Sequence, residues 1–189
     1  MGRTHMSEVN GNNRPGVFLD RDGTIIEDCG YINDPSQVVF FRDTIPALKL
    51  LQEHFELFIV TNQSGVAKGF TTYPDVERIN AYILSHIAGH GVRIVETYVC
   101  PHERDNDCQC MKPKPYFLQK AETDHGIDLR RSYVIGDHPH DAAFAKNAGA
   151  NAVYVLSGHG QKHRAELAED VPMAAGIGEA AAVILERAK

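Results

Sequence analysis

Five short apolar runs, at residues 17–20, 57–61, 95–99, 133–135 and 152–156, are separated by helical patterns near 44–54, 73–89 and 114–125. Strands that alternate with helices in this way predict a mainly parallel sheet flanked by helices: an α/β, Rossmann-like, three-layer sandwich. In such a sheet ligands bind outside the carboxyl ends of the strands. The first, second and fourth runs lead into residues with reactive or hydrogen-bonding side chains, so those residues are the candidate site.

The first run stops at Asp20 in the string Asp20-Arg21-Asp22-Gly23-Thr24. Two carboxylates one residue apart suit cleavage of a phosphate ester. One can attack phosphorus and the other can protonate the leaving alcohol, then activate water. On a regular strand the two would point to opposite faces, so the chain must turn sharply after Asp20. Gly23 permits that turn. On its own, such a string also reads as a solvated turn or a metal loop.

Set after its apolar strand, the string resembles the first motif of the haloacid dehalogenase superfamily of aspartyl-phosphate phosphatases. The resemblance implies three companions, and all occur in order. The second run ends in Thr61-Asn62-Gln63-Ser64-Gly65. There the Thr61 hydroxyl and the Asn62 amide would hold phosphoryl oxygens, or Thr61 would cap the next helix. Lys112, between Met111 and Pro113, would offset the negative charge of Asp20 and phosphate. The fourth run ends in Gly136-Asp137, with Asp141 four residues on. The resemblance makes Asp20, the Asp22 carbonyl and Asp137 the ligands of a magnesium ion, which favours hard oxygen donors. Asp141 reads as a helix cap or as support for those groups.

Cys100, His102, Cys108 and Cys110 fall within eleven residues. Soft sulfur and imidazole at this spacing read as a four-coordinate structural zinc site. A disulfide is disfavoured by the interleaved His and the lack of a signal peptide. The polar segment 103–107 has no core of its own, and Lys112 follows Cys110 by two residues, so the metal would position the lysine.

With the zinc loop, the resemblance narrows to a zinc-containing branch that includes heptose 1,7-bisphosphate 7-phosphatases and histidinol-phosphate phosphatases. The segment 61–69, the loop Asp28-Cys29-Gly30-Tyr31 and the Lys-Pro-Lys-Pro segment at 112–115 resemble the heptose enzymes. The implied substrate contacts are Asp28, Cys29, Gly30, Tyr31, Asn62, Gln63, Ser64 and Met111. Three positions depart from the branch's pattern: Met111 stands where Arg is usual, Cys29 where His is frequent, and His138 where Lys is usual. Each departure removes positive charge near the pocket unless Lys68, His138 or His140 compensates. The implied activity is removal of the C7 phosphate of a heptose bisphosphate in heptose biosynthesis. Histidinol phosphate or another small sugar phosphate is the alternative. A receiver-like signalling domain is a distant one, since an acid such as Asp22 would only shorten the life of its phosphoryl group.

The chain has 189 residues, 43% of them hydrophobic, enough for one substantial core. Residues 1–14 read as a cloning remnant with a disordered lead, and 15–189 as one phosphatase domain. No large cap domain fits between the motifs. Loops at 27–35, the zinc segment and 157–160 would close the pocket instead. The formal net charge of -6 argues against nucleic acid as a partner. With no membrane-length apolar run and no secretory signal, the expectation is a cytoplasmic monomer acting on a small phosphorylated metabolite.

Overall fold

The structure is a computed structural model and describes residues 14–188. The reading of the N-terminal lead concerns residues that, up to 13, lie outside the described ones. Six strands form one parallel sheet: β1 (Gly16–Leu19), β2 (Glu56–Asn62), β3 (Ile94–Cys100), β4 (Tyr133–Gly136), β5 (Asn151–Val155) and β6 (Met173–Ala174). Their spatial order is β3-β2-β1-β4-β5-β6. The order reverses at β1, which pairs with β2 on one side and β4 on the other. A crevice therefore opens between the carboxyl ends of β1 and β4.

The helices are α1 (Thr44–Gln52), α2 (Tyr73–Gly89), α3 (Tyr116–His125), α4 (Pro139–Ala148), the short α5 (Gly160–His163) and α6 (Ile177–Arg187). Period-two alternation along the strands divides the core into two layers. Val17, Leu19, Leu57, Ile59, Ile135 and Val153 pack with α1, α2 and α6. Phe18, Phe58, Val60 and Val134 pack on the opposite face with α3 and α4. Both faces are buried, as parallel sheets require. Among the described residues no large cap domain covers the strand ends, and no helix is long and apolar enough to cross a membrane.

The five expected strands are present within a residue or so of their expected ends. Helix α3 starts at Tyr116 rather than 114, with Pro115 as its cap. The expected helical patterns do not include α6, no run marked β6, and α4 was marked only by the helix start expected at Asp141. In α4 the buried apolar side chains are Phe144 and Ala145, too few to give a periodic signal. Strand β6 has only two residues and is held by its pairing with β5.

Phe58 is the hub of the second layer. It stacks on Phe18 with centroids 4.8 Å apart and on Tyr98 at 6.2 Å, and Tyr98 stacks in turn on Phe117 at 5.0 Å. Phe58→Ala should destabilise the chain by about 3–5 kcal/mol in urea unfolding, the usual cost of emptying a buried aromatic site. A loss below about 1 kcal/mol would mean that the site collapses around the smaller residue.

Candidate active site

The catalytic candidates meet at the crevice. Asp20 follows β1, and its N–H donates to the Ile135 carbonyl of β4 at 2.9 Å. Gly23 then turns the chain with φ 78°, and a Cβ there would run into the Asp137 carboxylate. Gly158, also at positive φ, closes on Asp137 in the same way. The His159 N–H donates to Asp137 Oδ2 at 2.7 Å. Asp137 thus sits in a pocket that only glycines leave open.

Lys112 is buried, and its ammonium donates to Asp20 Oδ1 at 2.7 Å, Asp141 Oδ1 at 2.6 Å and the Val60 carbonyl at 3.1 Å. Burial alone would lower its proton affinity, but the Asp141 and Asp20 carboxylates outweigh it and hold Lys112 above the ordinary lysine range. Asp141 also accepts from the His138 N–H at 3.1 Å, closing a capping box at the start of α4. Capping and support, open alternatives from sequence, are both present.

Asp20, Asp137 and Asp141 bring carboxylate oxygens within 4.8 Å of one another. Burial pushes Asp20 well above the usual carboxylate range despite Lys112. Burial likewise raises Asp137, to about 6, with the His159 N–H working against it. Three crowded carboxylates opposite one ammonium form a hard-oxygen, electron-rich site that fits a magnesium ion. Asp141 is the acid in this group that the sequence-based ligand set omits. The Asp22 carboxylate is not part of this group.

Asp22 is held by two neighbours. Arg21 forks onto it, Nε to Oδ2 at 3.0 Å and Nη2 to Oδ1 at 3.1 Å. Gln63 Nε2 donates to Asp22 Oδ2 and to the Thr61 hydroxyl, both at 2.8 Å. Thr61 caps no helix, because Thr72 caps α2. The Asn62 side-chain oxygen accepts from the Lys112 N–H at 3.2 Å, so Asn62 also fixes the lysine.

A cavity of about 460 Å³ opens above these groups. Its wall includes Asp20, Asp22, Asp28, Thr61, Asn62, Ser64, Met111, Lys112 and Asp137 from the sequence-based set. Gln63, Cys29, Gly30 and Tyr31 do not line it. Gln63 lies behind Asp22, Cys29 is exposed, and Tyr31 stacks on Phe70 at 4.8 Å. The rim comes from the three expected loops, through Asp28, residues 103–105 and His159, and also from Lys68.

Burial, then the neighbouring His140, push His138 down to about 4, so its ring is neutral near pH 7. Burial and Arg104 also lower His140. Both shifts disfavour a charged ring at these positions. Lys68 and Arg104 stand at the cavity as cations, and Arg104 Nη2 lies 3.3 Å from both ring nitrogens of His140. Arg104 escaped the sequence reading because it sits in a segment that looked like spacer between metal ligands.

The four cysteines are free thiols. Cys100 Sγ lies 3.1 Å from Cys110 Sγ and 3.8 Å from Cys108 Sγ. His102 Nδ1 lies 3.2 Å from Cys110 Sγ and 3.7 Å from Cys100 Sγ. Ligands on a tetrahedral zinc at about 2.3 Å would be spaced by roughly 3.8 Å, close to this cluster. Burial raises the Cys100 thiol, so a cation is needed to hold it as thiolate. The donor set fits zinc.

Residues 109–180 match the family described as HAD-hydrolase-like. Over 135 residues the chain is 37% identical to a Thermoplasma acidophilum protein named "Probable D-glycero-D-manno-heptose-1,7-bisphosphate 7-phosphatase", covering 70% of this chain and 84% of that protein. It is 36% identical over 166 residues to the D-glycero-beta-D-manno-heptose-1,7-bisphosphate 7-phosphatase of Yersinia pestis, covering 82% and 88%. The crystal structure of the D,D-heptose 1,7-bisphosphate phosphatase of B. bronchiseptica, complexed with magnesium and phosphate, superposes with a TM-score of 0.84 at 26% identity, covering 92% of this chain and 99% of that one. With identity at this level over most of each relative's length, the chain belongs to the family of the D-glycero-D-manno-heptose-1,7-bisphosphate 7-phosphatases, within the HAD-like hydrolases.

Proposed function

We propose that the chain is a magnesium-dependent phosphomonoester hydrolase that removes the C7 phosphate of D-glycero-D-manno-heptose 1,7-bisphosphate. The observation that carries the reading is Lys112, buried and bonded to Asp20 at 2.7 Å, at the floor of a cavity that Asp22, Thr61 and Asp137 also line. The names of the relatives supply the substrate.

An Asp20 carboxylate oxygen attacks phosphorus and the bond to the ester oxygen breaks. Asp22 gives its proton to that oxygen, which leaves as the alcohol. Water then attacks phosphorus, Asp22 takes the water proton, and the bond to Asp20 breaks to release phosphate. Lys112, Thr61 and Asn62 stabilise the equatorial oxygens, and positioning with charge neutralisation supplies most of the acceleration. Asp20, the Asp22 carbonyl and Asp137 would hold magnesium, which when bound neutralises charge on the transferring phosphoryl group. Met111 presents no cation to a second phosphate, so Lys68 and Arg104 are the residues proposed to receive it.

Steady-state phosphate release with magnesium should favour a heptose 1,7-bisphosphate over histidinol phosphate by at least about a hundredfold in kcat/KM, roughly 2.7 kcal/mol of transition-state discrimination. Asp20→Asn serves as the blank. A lead for histidinol phosphate would overturn the heptose assignment while leaving the chemistry intact.

Arg104→Ala should raise KM for the bisphosphate about tenfold, the loss of one charge-assisted hydrogen bond. It should change KM for heptose 7-phosphate, which lacks the second phosphate, far less. Equal changes for both would remove Arg104 from recognition of the second phosphate.

Cys100, His102, Cys108 and Cys110 are proposed to hold a structural zinc. Metal analysis of the purified protein should find about one zinc per chain that is lost in Cys108→Ser. The same variant should lower thermal stability and also kcat, because the loop it loosens leads into Lys112 two residues past Cys110. Protein that is free of zinc yet fully stable and active would refute this site.

A further inference from the structure

Among the described residues Arg21 is the largest fully buried side chain, 1% exposed. Burying a guanidinium is costly unless a counter-charge and hydrogen bonds accompany it. Among the described residues its one ion-pair partner is Asp22. No structural carboxylate shares the charge. Its third donor, Nη1, goes to Asn80 Oδ1 at 2.9 Å. Asn80 is 8% exposed and sits in the middle of α2, on the face that buries Val76, Ile79, Ile83 and Ile87. For stability alone an apolar side chain would fill this space at less cost. What the cation adds is a planar two-pronged grip on a carboxylate, fastened to a 17-residue helix.

The grip also distinguishes the two Asp22 oxygens. Oδ2 accepts from Arg21 Nε at 3.0 Å and Gln63 Nε2 at 2.8 Å, whereas Oδ1 shares the Arg21 Nη2 group, which lies 3.1 Å from Oδ1 and 3.0 Å from Oδ2. A carboxylate oxygen has two lone pairs, so Oδ2 is filled and Oδ1 keeps one free. The geometry points to Arg21 and Asn80 as positioning residues that fix the rotamer of Asp22, so that Oδ1 carries the proton to the leaving oxygen and takes one from water. This rests on the reading of Asp22 as the acid/base.

Leaving-group dependence tests it. An alkyl phosphate such as the heptose ester needs the proton from Asp22, whereas 4-nitrophenyl phosphate expels a stable phenolate without it. Both phosphoenzymes still need Asp22 to activate water. Rapid mixing of Asn80→Ala with 4-nitrophenyl phosphate should give a 4-nitrophenolate burst at a rate within about threefold of wild type, followed by slowed turnover. Phosphorylation by the heptose ester should slow by about ten- to a hundredfold, part of the usual acid/base contribution. Arg21→Lys, which keeps the charge and loses the fork, should behave likewise, so the result does not depend on one variant folding.

Parallel loss of both burst rates, or no loss in either, on folded protein would overturn the positioning role. Wild-type protein that hydrolyses neither ester above the Asp20→Asn blank would instead overturn the phosphatase reading.

Discussion

The Lys112 ammonium is the contact on which the rest of the site depends. It joins Asp20 after β1, the Val60 carbonyl in β2 and Asp141 in α4, three segments far apart in sequence. An ammonium has three N–H donors, and these three acceptors satisfy them all. Removing it would leave Asp141 buried beside Asp20 without a counter-charge, a change that commonly costs several kcal/mol. One cation is nevertheless too few for its surroundings. With Asp20, Asp137 and Asp141 all ionised, three negative charges face one positive charge, a net of -2. Burial already resists ionisation of Asp20 and Asp137. A divalent cation is the simplest group that would balance such a cluster, so the same imbalance that strains the carboxylates selects a metal.

Backbone does as much as side chains to keep the cluster tight. Gly23 and Gly158 approach Asp137 from two loops, and Gly136 lies so close to Asp141 that a Cβ there would overlap its carboxylate. The Ser157 hydroxyl donates to the Gly23 carbonyl at 2.7 Å, tying those two loops together. A Cβ at any of these glycines would fall within 2.2 Å of a carboxylate atom, so alanine there would force the carboxylates, and at Gly158 also the Gly23 backbone, to shift. The spacing of the acids is therefore set by the close approach of main chains, which side-chain rotation cannot relax.

What was legible in the sequence follows from the range of each interaction. Asp20, Asp22, Thr61 and Asp137 could be read because strand ends place them and strands announce themselves by local apolar runs. The cluster of Cys100, His102, Cys108 and Cys110 could be read because its spacing is local too. Arg21 lay in the recognised string but gave no sign of its burial, since Asn80, its partner, is 59 residues away. Gln63 was expected as a substrate contact from the string it belongs to, and the fold adds a bond from its amide to Asp22 that the string does not announce. Gly158 and Arg104 occupy loops whose sequence resembles any polar connection. Only the folding of those loops over the strand ends gives them a role.

The chemistry and the selection of substrate therefore occupy different kinds of structure. The floor is built from strand ends, a buried lysine and glycine contacts, and a change there disturbs several charged groups at once. The rim is built from loop residues such as Asp28, Lys68, Arg104 and His159, joined by few contacts, for example the 3.5 Å approach of His159 Nδ1 to Asp28 Oδ2. Met111, Cys29 and His138 depart from the expected family pattern without breaking any of the bonds that hold Lys112 or Asp22. Side chains at such positions can differ while the bonds that hold Lys112 and Asp22 stay in place. Met111 lies in the segment joined directly to Lys112, whereas Arg104 lies in the polar stretch between His102 and Cys108, and both border the cavity, so a cation at 104 reaches the mouth without touching the bonds of the floor.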